Sequence, residues 1–149
     1  FRYPPIGTRS WGGPPAPFGF MPPGNAEAQA ALNDVVLVVA MIESPEAVRN
    51  ANAIAAVEGI DALLIGTSDL TAEMGISGQI GHPRVVEAYE AVAAACRQNG
   101  KALGMGGVYD KETASRYIKL GARFVLSGSD HNYLLAGARA RSEALRQAL

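Results

Sequence analysis

At 149 residues, with 48% hydrophobic and 18% charged side chains, the chain has the size and makeup of one globular domain with its own core. A formal net charge of −1 argues against electrostatic binding to nucleic acid, and no uncharged apolar run reaches the ~20 residues of a membrane-crossing helix. The single cysteine, Cys96, excludes an internal disulfide or a thiolate metal cluster and fits a reducing, cytoplasmic compartment.

Residues 1–24 are rich in Pro (Pro4, Pro5, Pro14, Pro15, Pro17, Pro22, Pro23) and Gly (Gly7, Gly12, Gly13, Gly19), which disfavours both helix and central strand. Tyr3, Trp11, Phe18 and Phe20 favour an ordered loop that packs on something. No basic region followed by an apolar stretch marks a signal peptide. Phe1 in place of Met leads to the expectation of a processed chain or a piece of a longer protein.

From Val35 to Ile42 the run is apolar and β-branched, as in a strand buried on both faces. Ser44-Pro45-Glu46 then supplies an N-cap, a first-turn proline and a first-turn acid, predicting a helix to about Val57 that stops near Gly59. A second strand is expected over 61–65, followed by Gly66-Thr67-Ser68-Asp69 and a short helix. His82-Pro83 opens a longer helix with Val86, Tyr89, Val92, Ala93 and Cys96 on its apolar face, ended by Gly100. A third strand (101–105), a helix (110–120) stopped by Gly121, a fourth strand (123–126) and a last helix from about Asn132 complete the chain.

Strands alternating with helices imply a parallel sheet, since parallel strands need long crossovers. The roughly four βα units amount to half of a (β/α)8 barrel; a self-contained four-stranded open sheet is the alternative. In such folds chemistry sits at the C-terminal ends of the strands. Glu43 and Asp69 emerge there from consecutive strands, and two converging carboxylates suit a hard divalent cation or an acid/base pair. The plainer reading is two solvated acids near helix N-termini, where the macrodipole favours them. Gly66-Thr67-Ser68 leaves backbone N–H groups free for a carboxylate or phosphate, or forms an ordinary helix cap. His82 is expected to serve the turn before its helix, and Cys96 to be an inert core residue. His131 sits near the rim, with a non-catalytic role favoured, and Tyr109 has no better claim than packing.

Taken together, Tyr3-Pro4-Pro5-x-Gly7-x-Arg9-Ser10, Ile42-Glu43-Ser44, Ile65-Gly66-Thr67-Ser68-Asp69-Leu70, Gly81-His82-Pro83 and Gly128-Ser129-Asp130 resemble the HpcH/HpaI aldolase and citrate lyase family. The resemblance implies the C-terminal half of a TIM barrel, with 1–24 as a Pro/Gly-rich barrel-mouth loop and 25–149 as the βα units. It implies that Glu43 and Asp69 bind a divalent metal cation (Mg2+, Mn2+ or Co2+) and that Gly66, Thr67 and Ser68 bind the pyruvate carboxylate. Arg9, on the loop 3–13 lining the barrel mouth, is the candidate catalytic or substrate-contacting residue. The implied reaction is reversible aldol cleavage of a 2-oxo-4-hydroxy acid to pyruvate and an aldehyde, with the metal as Lewis acid. A CoA-ester lyase of the same superfamily and a non-catalytic barrel fragment lacking the general base are the rival readings.

Three departures from the family pattern stand out. Met41 replaces a frequent Gln, Gly106-Gly107 replaces a larger apolar residue, and the motifs of the family's catalytic His and substrate Arg, which belong to the first half of the barrel, are absent. Exposed edge strands call for a cover. The expected partners are therefore the N-terminal half of the barrel or another copy, and the resemblance implies a homo-oligomer, commonly a hexamer, that exchanges a last helix carrying Arg139, Arg141, Leu145 and Leu149.

Overall fold

The computed structural model describes residues 1–12, 16–21 and 23–148. Gly13, Pro14, Pro15, Pro22 and Leu149, which figure in the expectations above, lie outside the described residues. The chain divides into two compact units, Phe1–Val38 and Val39–Leu149.

In the first unit a single 3-10 turn, Ala16–Phe18, precedes helix α1, Asn25–Val35. Sequence reasoning placed the start of a strand at Val35 and did not expect α1. The helix is favoured by Ala26, Ala28, Ala30 and Ala31 interleaved with Glu27 and Gln29, all strong helix formers. Its last residue runs straight into the apolar stretch, so hydrophobicity alone does not mark the boundary. Asn33, 6% exposed, clamps the N-terminal loop: its Oδ1 accepts from the Tyr3 N–H at 2.6 Å and its Nδ2 donates to the Tyr3 carbonyl at 3.1 Å. The Arg2 guanidinium donates to the Asn33 carbonyl. Tyr3 meets Trp11 edge-on at 5.6 Å, and the Arg9 guanidinium lies 4.7 Å from the Tyr3 ring centre. Tyr3 is thus the anchor of the expected ordered loop, whereas Phe20 is 66% exposed.

The second unit is the α/β body. Its strands are β1 (Val39–Ile42), β2 (Ala62–Gly66), β3 (Ala102–Gly106) and β4 (Ala122–Val125). They form one parallel sheet in the order β1-β2-β3-β4, with Ile42 opposite Ile65 and Gly66 opposite Gly106. After β1 come α2 (Pro45–Arg49) and α3 (Ala51–Ala55), where one continuous helix was expected; the chain breaks at Asn50 (φ −92°, ψ 3°). The remaining helices are α4 (Thr67–Glu73), α5 (Pro83–Gln98), α6 (Lys111–Leu120) and α7 (Asp130–Gln147). Among the side-chain caps, Ser44 Oγ accepts from the Ala47 N–H at the head of α2, and Asp110 Oδ1 from the Thr113 N–H at the head of α6. Gly121, at φ 120°, ends α6 in the left-handed region.

Side-chain alternation splits the sheet into two faces. Ile42, Leu63, Ile65, Leu103 and Met105 join Val85, Tyr89, Val92 and Cys96 of α5 in the core. On the other face a Cβ at Gly104 would meet Leu64 and Phe124, which places these residues together. Met41, out of step with Ile42, is 50% exposed, and Leu126 just beyond β4 is 44% exposed. In a closed barrel this second face is the packed interior. Among the described residues no helix is long and apolar enough to cross a membrane.

Candidate functional site

Parallel register brings the ends of the strands to one rim. Glu43 follows β1 and is half-buried, and Gly66 closes β2 and serves as N-cap of α4. The Glu43 side chain lies over Gly66: a Cβ at position 66 would stand 2.5 Å from Glu43 Oε1 and 2.8 Å from Cγ. Gly66 has φ −84° and ψ 87°, which other residues also adopt, so glycine is required here for space and not for backbone freedom. Asp69 is the acidic residue of the first turn of α4 and is exposed. The structure therefore brings Glu43 to the start of the helix that carries Asp69.

Among the described residues no group of three or more His, Cys, Asp and Glu side chains is placed to hold a metal. Two carboxylates are nevertheless a hard-oxygen set suited to Mg2+ or Mn2+, ions that commonly keep several waters and take further oxygens from substrate. The cradle that a Cβ at position 66 would fill keeps room for the Glu43 carboxylate beside α4.

Thr67 and Ser68 open α4, whose cap makes no side-chain hydrogen bond. The first N–H groups of a helix have no partner within it. Ser68 is exposed and Thr67 is fully buried, with its Oγ1 2.7 Å from the Tyr89 hydroxyl. On the flank of this turn, Gly107 (φ 78°) approaches so closely that a Cβ there would lie 2.9 Å from Ser68 Oγ and 3.3 Å from its nitrogen. The glycine that departs from the family pattern is thus packed against Ser68.

Beneath the turn, the rings of Tyr89 and Tyr117 stack at 3.5 Å with 3° between planes, and the Tyr117 hydroxyl donates to the Ile80 carbonyl at 2.7 Å. Burial pushes Tyr117 up to about 12 and raises Tyr89 well above the ordinary phenol range, the Thr67 hydrogen bond offsetting part of the latter. The unfolded chain ionises these phenols near pH ~10. Stability is therefore fully present below that pH and is lost as pH rises from there through the folded values. A denaturant midpoint followed from pH 9 to 11 should fall for the wild-type chain and fall less for a Tyr89→Phe/Tyr117→Phe variant.

His82 caps α5, its Nδ1 accepting from the Arg84 N–H at 3.2 Å. Cys96 is buried, its thiol facing the Ala102 carbonyl at 3.6 Å and raised in pKa by burial. His131 is exposed at the start of α7, 3.7 Å from Asp130. Tyr109, Ser127, Gly128, Asn132 and Tyr133 line a cavity of about 340 Å³ beyond β3 and β4. A larger cleft of about 680 Å³ runs along α6 and contains none of the expected site residues. Arg9 belongs to the first unit, where it rests on Tyr3. Tyr89 was read from sequence only as part of an apolar helix face; its polar tip, which a buried tyrosine must satisfy, was the available signal.

A parallel sheet of βα units with acidic residues at its strand ends defines a partial α/β barrel, a fold in which chemistry sits on the C-terminal rim. The chain belongs to the HpcH/HpaI aldolase/citrate lyase family, whose model matches residues 1–136. It is 40% identical over 140 residues to a 4-hydroxy-4-methyl-2-oxoglutarate aldolase of Hapsidospora irregularis, covering 92% of this chain and 52% of that protein. A 4-hydroxy-2-oxo-heptane-1,7-dioate aldolase of Escherichia coli (strain ATCC 8739) is 39% identical over 139 residues, covering 93% and 52%. The crystal structure of an HpcH/HpaI aldolase from Desulfitobacterium hafniense DCB-2 superimposes with a TM-score of 0.80 at 32% identity, covering 97% of this chain and 56% of that one. The chain spans about half the length of the curated relatives it matches.

Proposed function

We propose that this chain supplies the metal and pyruvate site of a class II pyruvate aldolase, a carbon–carbon lyase that cleaves 2-oxo-4-hydroxy acids to pyruvate and an aldehyde. The observation that carries the reading is the Glu43 carboxylate lying across Gly66 at the head of the helix bearing Asp69. In this reading Glu43 and Asp69 hold a divalent cation, which supplies Lewis acidity toward the 2-oxo group. The N–H groups of the Gly66-Thr67-Ser68 turn bind and orient the substrate carboxylate beside it. The relatives named as aldolases of 4-hydroxy-2-oxo diacids support this substrate class.

The partner is proposed on the same grounds. β1 and β4 end the sheet, and Met41 and Leu126, at these two edges, are exposed on its second face. The complementing half of the barrel, or another copy in a homo-oligomer, covers that face.

The test is pyruvate-forming aldol cleavage and oxaloacetate decarboxylation by the intact protein, with and without Mg2+, Mn2+ or Co2+. Metal-dependent turnover is expected to fall by at least about a hundredfold in Glu43→Ala. Absence of metal affinity in the unsubstituted protein would remove the reading, and turnover of a CoA thioester in place of the oxo acid would transfer it to the CoA-ester lyases.

A further inference from the structure

We infer that Tyr89 is a positioning residue: its buried hydroxyl, bonded to Thr67, fixes the turn 66–69 that presents Gly66 and Asp69 to the Glu43 carboxylate. The inference rests on the proposed metal-site reading and deepens it. Tyr89 lies on α5 and Thr67 on α4, and neither is exposed.

A threonine at the first position of a helix ordinarily turns its hydroxyl to its own backbone or to water. Thr67 does neither. Its Oγ1 points inward to Tyr89, 22 residues away on α5, at 2.7 Å. A β-branched side chain is stiff at χ1, so pinning its oxygen also pins the backbone it grows from. That backbone joins Gly66, over which Glu43 lies, to Asp69 in the same first turn of α4.

The phenol that holds Thr67 is itself held. Its ring is stacked on Tyr117 of α6, and the Tyr117 hydroxyl is tied to the Ile80 carbonyl in the segment before α5. Burial keeps the Tyr89 hydroxyl protonated, so the bond persists across ordinary pH. On the flank, the absence of a side chain at Gly107 leaves the room that Ser68 occupies. The turn is thus held from beneath, while Ser68 and Asp69 on it are exposed. A buried tyrosine must satisfy its hydroxyl for stability in any case, and comparison of the two tyrosines separates that role from positioning.

Tyr89→Phe removes the bond to Thr67 and keeps the stacked ring, whereas Tyr117→Phe removes a bond of the same length to Ile80 and leaves Thr67 untouched. Mn2+ affinity of the intact protein, read by titration, should weaken about tenfold in Tyr89→Phe, as for groups that orient metal ligands, and stay unchanged in Tyr117→Phe. Thermal unfolding should fall in both. Thr67→Val/Tyr89→Phe leaves neither buried oxygen unpaired; its stability should return while Mn2+ affinity stays weak, and it serves equally where Tyr89→Phe alone does not fold. Equal Mn2+ affinity in wild type and Tyr89→Phe, or recovery of affinity together with stability in the double variant, would overturn the inference alone. No Mn2+ binding by the wild-type protein would overturn the metal-site reading and this inference with it.

Discussion

Gly66→Ala is expected to weaken divalent-metal affinity by about tenfold to a hundredfold while barely changing the unfolding midpoint. The added methyl would stand 2.5 Å from Glu43 Oε1, 2.8 Å from Cγ and 3.0 Å from Cδ. All three atoms belong to the far part of a half-buried, flexible side chain, which swings away at small cost to the fold. Backbone strain does not enter, because φ −84° is open to alanine. The whole effect therefore falls on where the carboxylate can go. Parallel measurement of Mn2+ affinity and thermal midpoint checks this. Loss of stability with affinity retained would show that the close approach matters to packing and not to the site.

Leu63→Ala should show the reverse profile, a loss of about 2–5 kcal/mol of stability. Leu63 is fully buried on β2, an inner strand paired on one side with Ala40 and on the other with Leu103. Ladder hydrogen bonds on both sides stop the backbone from collapsing into the space left behind. The variant loses the transfer free energy of the deleted atoms, and the cavity that remains adds to the cost. Since domains of this kind retain roughly 5–15 kcal/mol in total, the denaturant midpoint should drop sharply. A change under about 1 kcal/mol would mean that the sheet and α5 close over the gap.

The parallel strands and their helices were legible because each strand is a short apolar run bounded by cap and stop residues. Ser44, Pro45, Gly100, Asp110 and Gly121 act within a few residues of their own position, through caps and left-handed turns, and need no distant partner. The same local logic assigned His82 to the turn before α5, where it caps the helix. It failed at Val35, where an apolar run crosses from α1 into the approach to β1, and at Asn50, where an expected single helix is two. In both places neighbouring residues of similar hydrophobicity adopt different backbone states, and composition does not distinguish them.

Glu43, Gly66, Thr67, Ser68 and Asp69 could be picked out as a group because a parallel sheet sends every strand end to one rim. What the linear order does not contain is proximity across the sheet and beneath it. That Glu43 lies on Gly66, that Gly107 abuts Ser68, and that Tyr89 reaches Thr67 from the core depend on register and on the docking of α5 and α6. Asn33 holding both polar groups of Tyr3 is of the same kind, joining residues 30 positions apart. The sequence by itself determined the alternation of strand and helix and the acids at the strand ends, because backbone propensity and side-chain period act locally. Only the tertiary structure decided which of those groups share a space, because contacts between distant residues are set by packing.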